Sequence, residues 1–138
     1  MKKLLGIVVL SLLLSVNAYA KTKVWDYKKE SNQIELIKCI KIIDIKTKTS
    51  FINTLGNMGL FSEVPGVLRI QNNCKEGIKG WVSVEMLDKD DFLLEDTLAE
   101  FNVGRKGIKK INFDYYMSPL KLRKAGSMLL RFDQLEKF

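Results

Sequence analysis

Asp88, Asp90, Asp91, Glu95 and Asp96 form the densest set of chemically capable side chains in a chain whose formal net charge is +7. Such carboxylates could hold calcium, could act as an acid–base pair on a glycosidic bond, or could simply cap a turn. An EF-hand loop opening at Asp88 would need oxygen ligands at its first, third and fifth places, glycine at the sixth and glutamate at the twelfth. Asp88 and Asp90 fit that pattern, but Phe92, Leu93 and Ala99 occupy the other places. A glycosidase pair needs one carboxyl whose pKa is raised by burial or by a like charge. The acids here lie between two alternating apolar runs, at a tip that should face water. Aspartate suits such tips because its side chain bonds to nearby backbone groups. "DKDD" therefore reads as the turn of a β-hairpin. A looser calcium site on the three aspartates and a hydrolase using the acids of 88–96 are the alternatives.

Other catalytic constellations are thin. The chain contains no histidine, which removes Ser-His and Cys-His nucleophile pairs and the commonest zinc ligand. Cys39 and Cys74 lack the close spacing of a redox pair. Gly104 and Gly107 flank Arg105 and Lys106 in a turn context, not in a phosphate-binding glycine motif. Ser127 and Lys124 have the types of a Ser-Lys pair without any feature that marks them as one. No cofactor is implied, and the expectation is a protein that is not an enzyme.

The opening "MKKLLGIVVLSLLLSVNAYA" has a basic start at Lys2 and Lys3, a short apolar core and small residues at Ala18 and Ala20. This is the pattern of a cleaved signal peptide, and the apolar run is shorter than the roughly 20 residues a membrane span needs. The expected organisation is a leader over 1–20 and one domain over 21–138, periplasmic or secreted, with no transmembrane segment after cleavage. Removing Lys2 and Lys3 would take the formal charge from +7 to +5. The remaining lysines are scattered, which argues against nucleic acid as a partner. In an oxidising compartment the two cysteines read as one Cys39–Cys74 disulfide, with two buried thiols as the competing reading.

The elements that must position these residues are strands. Leu68 and Ile70, then Val82, Val84 and Met86, then Ile111, Phe113 and Tyr115, and finally Met128, Leu130 and Phe132 recur at every second position. Short alternating runs separated by Gly, Pro, Asn and Asp predict an all-β antiparallel sandwich with one dry face per sheet. Residues 21–33 read as a polar entry segment whose aromatics dock on the core. Residues 34–46 read as a strand from their isoleucines, with a short helix near 33–45 as the alternative, since Asn32 and Glu35 stand at capping-box spacing. Residues 51–66 read as a long connection, whose Leu55, Met58, Leu60 and Phe61 are candidate partner contacts.

The segment from Gly66 to Phe113 resembles the FxLYD-type domains, small immunoglobulin-like sandwiches of exported bacterial proteins. "VLRIQNN" ends in Asn72 and Asn73, as an early strand of that family ends in Asn. In "VEMLD", Val84, Met86 and Leu87 stand where the motif has Phe, Leu and Tyr, and Asp88 is retained. "GRKGIKKINF" is similar to the family's later glycine turn and strand. The resemblance implies an immunoglobulin-like sandwich without a generic active site. The functional expectation is a binding or adaptor module whose partner is another envelope or periplasmic protein, reached through a sheet edge or the 51–66 loop. A carrier of a small apolar ligand between the sheets is the alternative.

Overall fold

The computed structural model describes residues 21–49 and 62–138. The expected leader over 1–20 and the candidate partner contacts Leu55, Met58, Leu60 and Phe61 lie outside the described residues. Strands β1 (Lys21–Val24), β2 (Tyr27–Ser31), β3 (Ile40–Thr49), β4 (Ser62–Asn72), β5 (Ile78–Asp88), β6 (Leu93–Val103), β7 (Ile108–Met117) and β8 (Ala125–Lys137) are accompanied by two short helices, α1 (Ile34–Ile37) and α2 (Pro119–Arg123). They form an all-β sandwich of two four-stranded sheets, ordered β1-β3-β4-β7 and β2-β8-β5-β6. Every pairing is antiparallel except β2 with β8, which is parallel. The two layers are those of a β-sandwich, with a chain path in which β3 runs to its own sheet neighbour β4 before β5 crosses over.

Alternation builds the interior. Leu68 and Ile70 of β4, Val82, Val84 and Met86 of β5, and Ile111, Phe113 and Tyr115 of β7 are all buried. So are Met128, Leu130 and Phe132 of β8, and the ring of Phe132 meets that of Phe101 edge-on at 5.7 Å. Each such side chain removed from water contributes about 1.5–3 kcal/mol, which is why the register of these strands is firmly set.

Four stretches differ from the sequence reading. Residues 34–46 are not one strand: Ile34–Ile37 turn once as α1, and the strand begins at Ile40. The polar residues 21–33 supply β1 and β2, edge strands whose exposed side chains carry no alternation signal. Trp25 between them is buried, as expected for a docking aromatic, and its indole donates to Thr47 at 3.0 Å. β4 starts at Ser62, so the connection is shorter than 51–66. Pro65 is tolerated inside β4 because β3 pairs only from Gly66 onward, leaving no partner on that side that needs its missing N–H. Gly66 faces inward beneath the ring of Phe113, where a β-carbon would overlap it. Ser118-Pro119, read as a break, instead starts α2, with the Ser118 hydroxyl accepting from the Lys121 N–H at 3.2 Å.

Candidate functional site: the open side of the sandwich

The hairpin β5–β6 turns on Asp88. Its carboxylate accepts from the N–H groups of Asp90 at 2.8 Å and Phe92 at 2.9 Å, and Asp91 adopts a left-handed φ of 65°. Local bonding of this kind is what makes aspartate a turn residue. The acids that follow part company. Glu95 lies on the inward row of β6 and pairs with Lys121 of α2 at 3.7 Å, whereas Asp96 lies on the outward row. Among the described residues no three potential metal ligands converge.

The disulfide joins Cys39, just before β3, to Cys74, just after β4, with their Cα atoms 5.1 Å apart. Beside it sits a residue whose role the sequence left unread. Asn72 is fully buried; it accepts from the Cys74 N–H at 2.9 Å and donates to the Glu76 carbonyl at 2.8 Å and the Gly104 carbonyl at 3.2 Å. The turn after β4 is thereby fastened to the "GRKG" turn after β6.

The two lateral sides of the sandwich are built differently. On one side β1 covers only Lys46–Thr49 of β3, so the stretch from Ile40 to Ile45 would expose its outward carbonyls. Those carbonyls are taken: Ile40 accepts from the Lys29 amine at 2.6 Å, Ile42 from the Tyr27 hydroxyl at 3.4 Å, and Ile45 from the Trp25 N–H at 3.2 Å. The partial burial of the Lys29 amine in this position lowers its pKa below the usual lysine value. Gln33 then extends β2 with its side chain, donating to the Leu135 carbonyl at 2.6 Å while accepting from the Leu135 N–H. The β3 carbonyls on this side are thereby occupied.

On the other side, β6 and β7 are the last strands of their sheets, and their outer edges run side by side. A groove of about 520 Å³ lies between them, lined by Glu95–Leu98 of β6 and Asn112–Tyr116 of β7. Inward positions that hold apolar residues elsewhere carry Glu95 and Thr97 here. Under the groove Tyr115 donates its hydroxyl to the Val84 carbonyl at 2.6 Å, tying one sheet to the other. Burial, reinforced by the charges of Asp96, Glu95 and Glu85, drives the Tyr115 pKa far above the usual tyrosine value. Leu98 and Tyr116, one on each lip, are 63% and 62% exposed.

The outward row of sheet two adds a charge relationship. Asp96 stands directly opposite Glu85 in the β5–β6 register. Glu85 has a cation on its other side, the Arg131 guanidinium of β8 at 2.6 Å, which also meets Glu30 at 3.2 Å. Among the described residues, Asp96 takes part in no ion pair.

No family model and no curated protein matches the sequence. Among solved structures the chain is similar to a crystal structure of the Northeast Structural Genomics Consortium target SoR45, with 7% identity and a TM-score of 0.35 over 89% of this chain and 88% of that one. A likeness that remote carries no argument.

Proposed function

We propose that the protein is an exported, non-enzymatic binding or adaptor module of the bacterial envelope, and that it holds another envelope protein at the open β6–β7 side. The observation that carries this reading is the asymmetry between the two lateral sides. Edge strands are hazards that proteins normally cover or interrupt, and the β2–β3 side is covered carbonyl by carbonyl. Among the described residues, the β6–β7 side leaves two strands of eleven and ten residues with unpaired edges and an exposed apolar residue on each lip. An unpaired edge is what strand addition by a partner uses. Export is supported by the leader pattern at the start of the sequence and by the disulfide, which fits an oxidising compartment. The FxLYD-type resemblance of residues 66–113 agrees with a module that works by contact.

Photo-crosslinking side chains placed at Leu98, at Tyr116 and, as a control, at Lys41 in the intact envelope test this. The expected result is one discrete adduct with a second envelope protein from Leu98 and Tyr116 and none from Lys41. Adducts from Lys41 alone, or from no position, would refute the edge as the contact surface.

A further inference from the structure

We infer that the occupant of the open side is an extended basic segment of the partner, added as a new strand to β6, with Lys or Arg at alternate positions flanking an apolar residue. The inference rests on the β6–β7 edge being the contact surface and specifies the chemistry of what sits there.

The argument is one of register and charge. A strand laid on the free edge of β6 would place its outward side chains beside Asp96, Leu98 and Glu100, which share the outward row. Cross-strand neighbours on one face set sheet energetics, and like charges directly opposite one another are unfavourable. Glu85 and Asp96 are such a pair, and among the described residues only Glu85 has a cation, Arg131, on its far side. The place where a cation would complete the alternation Arg131–Glu85–Asp96 is the position beside Asp96 on the unpaired edge. A second cation would meet Glu100, and between them an apolar side chain would cover Leu98, which is 63% exposed. The opposite lip carries Asp114, which among the described residues also takes part in no ion pair, so the groove presents negative charge from both strands.

Short linear peptides displayed on phage and selected against the purified, disulfide-bonded protein provide the probe. Binders should crosslink to a photoreactive side chain at Leu98 and carry Lys or Arg on both sides of an apolar residue at alternate positions. The double variant Asp96→Lys/Glu100→Lys should weaken them by about tenfold, since two attractive pairs become repulsive, and the loss should shrink at high salt. Should that variant fold poorly, Asp96→Asn/Glu100→Gln serves instead, with a smaller loss in the same direction. Binders that crosslink at Leu98 but show no basic bias would overturn the charge inference and leave the edge as contact surface standing. Binders that crosslink elsewhere, or none at all, would overturn both. Self-association of the protein that disappears in the double variant would assign the face to a second copy and overturn the proposal.

Discussion

The Lys29 amine donates to the Ile40 carbonyl at 2.6 Å, so a side chain from the edge of one sheet closes the backbone edge of the other. The same amine reaches the Ile37 carbonyl at 3.3 Å, holding the end of α1 beside the start of β3. Lys29→Ala should remove about 1 kcal/mol of stability, the net worth of such a bond in a partly wet position. Its more telling effect should be a rise in concentration-dependent association, measured by sedimentation, because the carbonyls of β3 become available. Unchanged association would mean that Tyr27 and Trp25 suffice to keep that side closed.

Asp88 separates a turn from a catalytic or metal-binding role. Asp88→Ala deletes an acceptor shared by two N–H groups, and denaturant unfolding should report a loss of about 1 kcal/mol. Asp88→Asn keeps an oxygen in place and should be nearly neutral. A hydrolase that used the acids of 88–96 would instead lose activity in the Asn variant at unchanged stability.

Cleavage of the Cys39–Cys74 bond opens a loop with a sequence separation of 35. In the chain-entropy treatment the closed loop is worth about 3.5–4 kcal/mol. The Cys39→Ala/Cys74→Ala variant should lose that much unfolding free energy, read from the urea midpoint and slope together, with little change in the spectrum of the folded state. A shift near zero would mean that the reduced chain is already constrained there by Asn72.

Tyr115 predicts an alkaline limb of stability. Its folded pKa is raised by burial and by three nearby carboxylates, so the protonated hydroxyl is favoured by folding. That contribution is fully present below the unfolded tyrosine value, about 10, and is lost as pH climbs from there toward the higher folded value. Tyr115→Phe should cost about 1 kcal/mol at neutral pH by leaving the Val84 carbonyl without this donor. It should also flatten the decline above pH about 10, measured by thermal melts across the alkaline range.

The strands that pack both sheets together were legible in the sequence because burial imposes a period of two: Val82, Val84 and Met86 announce β5 unaided. The edges were not legible, for the opposite reason. Among the described residues β2 pairs with a strand on one side only and its side chains are mostly exposed, so "YKKES" carries no apolar rhythm and reads as part of a polar entry segment. Pro65 and Gly66 look like loop residues, yet a strand accepts them where one neighbour has ended and an aromatic ring needs room. The six isoleucines of 34–46 serve a helical turn and a strand in succession, a division that composition alone does not mark. The open side left one trace: Glu95 and Thr97 fall on the inward row of β6, where the alternation calls for apolar residues. An interruption of that kind marks a surface that the described residues leave uncovered.

The parallel pairing of Tyr27 with Met128 makes neighbours of segments that synthesis delivers at very different times. Among the described residues, β8 is the only strand partner of β2 and one of two strand partners of β5. A nascent chain that has not reached Ala125 therefore cannot assemble sheet two, whatever hairpins it has formed. Contacts between such distant residues impose a high contact order, which places folding in the slow regime of roughly milliseconds to seconds. The ribosome thus releases a chain still short of its native state.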